Sequence, residues 1–290
     1  MFSPKDLKIP CEHYEKRLTV YSDESKARRA AILYFHGGGL LFGSRNDLPD
    51  AHIKALCSAG YVILAFDYPL APAAKIEFIL ADVCNSIEFY IENREKLLSS
   101  PLPYFLFGRS AGAYLSMMAG LRGLSVPPIG IISFYGFGFL CNLWYSSASE
   151  YYLSLPAAPS PAKPTLSQIT ADGNLQTHYG AYVYARQHGN WIQYFYEGRE
   201  KDFLCDFSLR NYDKTNLPFP LLCTHSENDP DVPFREYSEI CGKFNVVSKL
   251  SVTDSMHDFD RNTRSRSTKK LLDITLEYLE SVLSAVSPPQ

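Results

Sequence analysis

Nowhere in this 290-residue chain do two cysteines form a C-x-x-C pair, and the seven that occur (Cys11, Cys57, Cys84, Cys141, Cys205, Cys223 and Cys241) are odd in number and scattered. That pattern excludes a disulfide framework and gives no zinc-ligand spacing. Reduced thiols in a cytoplasm are the simpler account, so a cytoplasmic location is expected. Long apolar runs are missing too. The longest, at 129–141, is too short and glycine-rich for a membrane span, and no membrane association is expected. The N-terminal stretch MFSPKDLKIPCEHYEKR is charged and has no apolar centre, so no secretory leader is expected. Positive charge is not in excess: 28 lysines and arginines face 31 acidic residues, a net charge of −3. That balance leaves no basic face for nucleic acid. The one basic cluster, RNTRSRSTKK at 261–270, reads as a solvated helix start. Internal repeats are lacking.

Hydrophobic residues make up 46% of the chain and charged residues 20%, the balance of a globular protein able to bury a full core without staples. Short apolar runs alternate with longer helical patterns. Residues 30–35 (AAILYF), 61–66 (YVILAF), 104–107 (YFLF), 129–135 (IGIISFY), 219–224 (FPLLCT) and 249–252 read as strands. Continuous runs of this kind suit central strands of a parallel sheet covered on both faces. Residues near 19–21 suggest an added edge hairpin. Helical patterns cover 50–58, 77–98, 111–121, 234–244 and 269–286. The alternation predicts an α/β fold with a doubly wound, mostly parallel sheet and right-handed crossovers. Residues 141–216 break the rhythm: they are rich in tyrosine and tryptophan, carry LPAAPSPAKP at 155–164 and show no clear strand. They predict a helical lid inserted between the strands near 135 and 219, with 1–140 and 217–290 forming the core. The aromatic residues there either fill the lid's own core or line a pocket, and the lid is a candidate surface for a homodimer.

Two stretches carry chemistry. In FGRSAG, Gly108, Arg109, Ser110, Ala111 and Gly112 form a G-x-S-x-G sequence between a strand pattern and a helix pattern. That context suits a nucleophilic serine on a strained strand-to-helix turn. Serine needs a base, and the base needs an orienting acid, in the chain order serine, acid, histidine. His257 comes after the last strand on a polar loop, at the carboxyl edge where open α/β sheets bind ligands, and is the expected base. THSENDPDVP at 224–233 offers Glu227, Asp229 and Asp231 as the acid; Asp229, before Pro230, is favoured and Asp231 competes. In FHGGGLLFG, glycines after a strand let backbone amides crowd around a developing oxyanion. Gly38, Gly39 and Ala111 are the expected donors, with His36 bracing the loop. Leu40, Arg109 and Tyr135 are the expected substrate-binding positions. Arg109 either reads an acidic substrate group or pairs with a nearby carboxylate.

Together HGGG at 36–39, GRSAG at 108–112, DYPLAP at 67–72, DPDVP and MHDFDR resemble the hormone-sensitive-lipase-like carboxylesterase branch of the α/β-hydrolases. The resemblance covers nearly the whole chain outside 141–216. It implies the α/β-hydrolase fold, the triad Ser110, Asp229 and His257, and the oxyanion hole of Gly38, Gly39 and Ala111. The sequence departs from the branch at Arg109, where an acidic residue is usual, at Ala113 and at Pro69. The expected function is hydrolysis of small carboxylic esters with short or aromatic acyl groups, needing no metal or organic cofactor. An amidase, arylformamidase or peptidase on the same fold, or a ligand-binding protein on a hydrolase scaffold, are the alternatives.

Overall fold

The computed structural model describes residues 4–161, 166–173, 175 and 177–286; part of the proline-rich stretch at 155–164 lies outside them. Eight strands form one sheet: β1 (Lys5–Ile9), β2 (Lys16–Tyr21), β3 (Ala30–Phe35), β4 (Tyr61–Phe66), β5 (Tyr104–Arg109), β6 (Gly130–Phe134), β7 (Leu221–Ser226) and β8 (Val246–Val252). The order across the sheet is β1-β2-β4-β3-β5-β6-β7-β8. β1 and β2 run antiparallel at one edge, and the strands from β4 to β8 are parallel. The helices are α1 (Asp50–Ser58), α2 (Ile76–Leu98), α3 (Ala111–Gly120), α4 (Glu150–Leu153), α5 (His178–His188), α6 (Ile192–Phe195), α7 (Glu200–Asp206), α8 (Phe234–Lys243) and α9 (Arg266–Val286).

The apolar runs are continuous because both faces of the sheet are covered. Side chains alternate along a strand. In β3, Ala31, Leu33 and Phe35 enter one core with α2, α3 and α8, while Ala30, Ile32 and Tyr34 enter a second core with α1 and α9. β4 repeats the division, with Val62, Leu64 and Phe66 on the first side and Tyr61, Ile63 and Ala65 on the second. Each such Leu, Ile or Phe contributes about 1.5–3 kcal/mol by leaving water. Between β6 and β7, α4 to α7 and the turns around them add Trp144, Tyr145, Tyr152, Tyr182, Trp191, Phe195 and Phe203 to the first core. No helix among the described residues is long and apolar enough to cross a membrane.

This winding brings five loops to one edge: those after β3, β5, β6, β7 and β8. The loop after β3 and the start of α3 are pressed together. A Cβ on Gly112 would stand 2.0 Å from the Phe35 carbonyl oxygen and 2.5 Å from that of His36. Backbone cannot yield as a side chain can. Gly112→Ala is therefore expected to destabilise the fold by about 1–3 kcal/mol, the usual cost of overpacking. Gly242→Ala, where an added Cβ meets nothing within 4 Å, should change stability by no more than about 1 kcal/mol in either direction. Urea unfolding of the two variants checks the contrast; equal effects would contradict it.

Candidate active site

Ser110 stands between the end of β5 and the start of α3, with φ 52° and ψ −117°. A non-glycine residue at positive φ is strained, typically by about 1–3 kcal/mol, and needs its surroundings to hold it. Here its amide donates to the Phe134 carbonyl at 2.9 Å, and its carbonyl accepts from Ala113 and Tyr114 at 3.0 and 3.1 Å. The turn closes so tightly that a Cβ on Gly108 would fall 2.1 Å from the Gly112 carbonyl carbon.

The structure brings Ser110, Asp229 and His257 together. Ser110 Oγ lies 2.8 Å from His257 Nε2, and His257 Nδ1 lies 2.6 Å from Asp229 Oδ2. The Asp229 side chain is fully buried, and its Oδ1 accepts the amides of Asp231 and Val232 at 2.8 and 2.9 Å. A second histidine, His225 at the end of β7, places Nε2 3.2 Å from Asp229 Oδ2 and 2.9 Å from the Val232 carbonyl. The two other acids are engaged elsewhere. Asp231 accepts from Tyr182 Oη at 2.8 and 2.9 Å and from Arg186 Nε at 3.2 Å, and Glu227 accepts from Ser251 at 2.8 Å.

Burial alone would raise the Asp229 carboxyl, but the charge of His257 and the hydrogen bonds from His225 and His257 hold it well below the usual carboxylate range. Burial likewise pushes the His257 imidazole down. The Asp229 carboxylate and its hydrogen bond outweigh that, with Asp231 and Asp258 adding to them, and carry His257 up to about 9. An ionised Asp229 fixes the proton of neutral His257 on Nδ1, leaving the Nε2 lone pair toward the serine hydroxyl.

The glycine loop sits beside the serine. A Cβ on Gly37 would lie 3.3 Å from Ser110 Cβ, and on Gly38, at φ +103°, it would collide with the Phe42 carbonyl oxygen at 1.9 Å. The Gly38 carbonyl accepts the amides of Leu41 and Phe42, both at 3.0 Å, which curls the loop. Among the described residues, no carbonyl accepts from the amides of Gly38, Gly39 or Ala111. His36 is wholly buried, stacks on Tyr68 with 4.1 Å between ring centres, and places Nδ1 2.6 Å from the Gly37 carbonyl oxygen. The pocket, about 370 Å³, is lined by Gly37, Gly38, Phe42, Ser110, Tyr135 and His257 among others. Gly37, which sequence reasoning passed over, borders it; Gly39 does not, and instead meets the Tyr182 ring.

Of the three expected substrate-binding positions, Arg109 and Tyr135 border the pocket and Leu40 needs correction. Leu40 is fully buried, with φ 66°, and does not border the pocket; its carbonyl accepts the Ala71 amide at 2.9 Å. Arg109 borders it, but its guanidinium is committed to carboxylates: Nη2 donates to Asp260 Oδ1 at 2.9 Å and Nη1 to Asp47 Oδ2 at 3.2 Å. Arg109 therefore pairs with nearby carboxylates. Tyr135 borders the pocket with its ring 4.8 Å from that of His257, while its hydroxyl donates to Asp260 Oδ1 at 2.8 Å. The tyrosines and tryptophans of 141–216 do not line this pocket among the described residues; that segment supplies Asp172, Gly173 and Leu175. Tyr145, Tyr152, Tyr182, Trp144 and Trp191 are core side chains.

A mostly parallel α/β sheet with a strained serine turn at its carboxyl edge defines the class of molecule. The chain belongs to the alpha/beta hydrolase fold family, whose model matches residues 32–179. It is 31% identical over 112 residues to an arylesterase of Saccharolobus solfataricus, covering 38% of this chain and 36% of that protein. It is 30% identical over 166 residues to the non-reducing polyketide synthase adrD of Penicillium rubens, covering 53% of this chain and 6% of the synthase. The chain thus spans about a third or less of the length of these curated relatives. Among solved structures, an alpha/beta hydrolase superfamily protein of Enterococcus faecalis superposes with a TM-score of 0.81 at 24% identity, over 96% of this chain and 99% of that one. A Staphylococcus aureus protein of unknown function superposes with a TM-score of 0.79, also at 24% identity, over the same shares. These likenesses show the fold.

A histidine raised by a buried partner stabilises the fold while protonated. Its contribution is whole below the ordinary value of 6.5 and is lost as pH rises through about 9. NMR titration should therefore place the His257 midpoint near 9. In Asp229→Asn the carboxylate is gone and burial remains, so the midpoint should fall by at least about two units. An unmoved midpoint would overturn the pairing as its cause.

Proposed function

We propose that this protein is a serine hydrolase that cleaves small carboxylic esters through an acyl-enzyme. The observation that carries the reading is the continuous line of contacts from buried Asp229 through His257 to the strained Ser110, beside glycine amides that no carbonyl accepts from among the described residues. His257 takes the serine proton as Oγ attacks the ester carbonyl. The amides of Gly38 and Ala111 stabilise the negative oxygen that forms, joined by that of Gly39, whose Cα faces Tyr182 but whose N–H no carbonyl accepts among the described residues; donors of this kind are each worth ~10²–10³ in turnover. His257 then protonates the departing alcohol. Water, deprotonated by the same imidazole, releases the acid and restores Ser110.

The names of the relatives support this reading: one is an arylesterase and another, from a Moraxella strain, is a lipase. A cavity of about 370 Å³ lies at the small end of ligand pockets and favours short or aromatic acyl groups. Residues 141–216 act as the lid, with Asp172, Gly173 and Leu175 at the pocket and Leu175 70% exposed at its rim. Free cysteines suit a reducing cytoplasm.

Turnover of 4-nitrophenyl acetate against that of 4-nitroacetanilide separates esterase from amidase, and the ester should be the faster by a wide margin. Ser110→Ala should lose ester turnover by at least ~10⁴-fold and all labelling by a fluorophosphonate probe. Because protonated His257 cannot accept the serine proton, kcat/KM should climb with pH and level off only above about 9. A folded wild-type protein that stays unlabelled, or amide turnover above ester turnover, would sink the proposal.

A further inference from the structure

The catalytic histidine sits on a poorly covered loop. Between β8 and His257, Thr253, Ser255 and Met256 are exposed, and Met256 is 53% so. Ser226 Oγ donates to the Asp254 carbonyl, but little apolar packing holds the loop before residue 257. On the other side of His257 the chain dives inward. Phe259 and Asp260, in the short turn Phe259–Arg261, are buried, and Asp260 is completely so.

Asp260 lies among groups that belong to the serine's side of the site. Its Oδ1 accepts from Arg109 Nη2 at 2.9 Å and from Tyr135 Oη at 2.8 Å. Arg109 Nε donates in turn to Tyr135 Oη, so the three side chains close a ring. His52 Nε2 lies 3.0 Å from Asp260 Oδ2. Arg109 is covalently next to Ser110 and reaches Asp47 as well. Tyr135 sets its ring edge against His257 at 4.8 Å and 62°. Arg109, Tyr135 and Asp260 are at most 2% exposed.

A buried ion pair is weak evidence for stability, since apolar side chains of like volume often do as well or better. Here the pair joins two chain segments 151 residues apart, one carrying the nucleophile and the other the base. We infer that Arg109, Tyr135 and Asp260 are positioning residues, a strut that sets the His257 imidazole on Ser110 from behind the reacting atoms. Arg109 and Tyr135 border the pocket, but their polar atoms are taken up by Asp260, Asp47 and each other. The inference rests on the esterase reading and adds the source of its alignment.

Misplacing a catalytic group by about 1 Å can cost ~10²-fold in rate. Two variants isolate the strut. Tyr135→Phe keeps the ring against His257 and removes the hydroxyl that bridges Arg109 and Asp260. The double variant Arg109→Met/Asp260→Leu removes both charges at once, so neither is left buried alone. With 4-nitrophenyl acetate, kcat is expected to fall ~10-fold in the first and ~10²-fold in the second, with KM within about twofold of wild type. The double variant leaves the buried Tyr135 hydroxyl and His52 without these partners and should melt below wild type, so kcat is read well below its melting temperature; the downfield Nδ1 proton of His257 should shift or broaden in both. A purely structural role predicts that kcat tracks thermal stability. If both variants are folded and keep kcat within about twofold and an unshifted proton, the strut is overturned. Should the double variant not fold, Tyr135→Phe alone decides by the same readouts. Loss of the esterase reading has a different mark: folded wild-type protein would then show no Ser110-dependent ester turnover and no fluorophosphonate labelling, whereas failure of the strut leaves both intact.

Discussion

One main-chain oxygen limits how this edge of the sheet can be built. The Phe35 carbonyl occupies the space a methyl group at residue 112 would need, so the end of β3 and the first turn of α3 are in backbone contact. Three features go with that contact. It puts the glycine loop beside Ser110, where a Cβ on Gly37 would lie 3.3 Å from the serine Cβ. It adjoins the turn where Ser110 keeps positive φ, with its amide on the Phe134 carbonyl. And it brings Gly37 so near the serine turn that an added Cβ there would lie 3.1 Å from the Arg109 carbonyl oxygen. The chemistry of the site is set by how near two main chains can pass.

The acid is the second constraint. A carboxylate inside a protein is costly unless hydrogen bonds replace its water. Asp229 has two backbone amides on one oxygen and His257, with His225 nearby, on the other. Those contacts explain why the carboxyl stays ionised at full burial, and an ionised Asp229 is what raises His257. Burial and pairing pull in opposite directions on both groups. On both, pairing prevails.

Much of this was readable from local pattern. β3 and β4 coincide with their apolar runs because both faces are buried, and α1 has the bounds its periodicity predicts. β8 begins earlier than its apolar signal, since it is an edge strand whose alternate residues are exposed. The serine, histidine and favoured aspartate were legible because each sits just past a recognisable strand. The partners of Arg109 were not. Asp260 is distant in sequence and looks like any acid in a polar loop, so nothing in the pattern marks it as buried. Gly37 and Gly39 are indistinguishable as letters; only the curl of the loop puts one at the pocket and the other against Tyr182. The aromatic richness of 141–216 was visible, but its destination was not, because a tyrosine in a core and a tyrosine in a pocket have the same composition.

Polar contacts of that segment's described residues fall on the loops that build the site. Trp191 Nε1 donates to the Gly39 carbonyl at 2.8 Å, gripping the glycine loop. From α5, Tyr182 and Arg186 hold the Asp231 carboxylate, and Arg186 also reaches the Asp231 carbonyl at 3.1 Å, two residues past the buried acid. Buried Glu236 accepts the amides of Gly138, Phe139 and Cys141 and the Trp144 indole, which fixes the point where the segment leaves the sheet. Each of these buried polar groups would cost the fold dearly if left unpaired. Their partners are therefore as confined as the segment itself. α5 touches the glycine loop through Tyr182 and the acid loop through Asp231, so it spans two of the loops that build the site, and a shift of that one helix would move both.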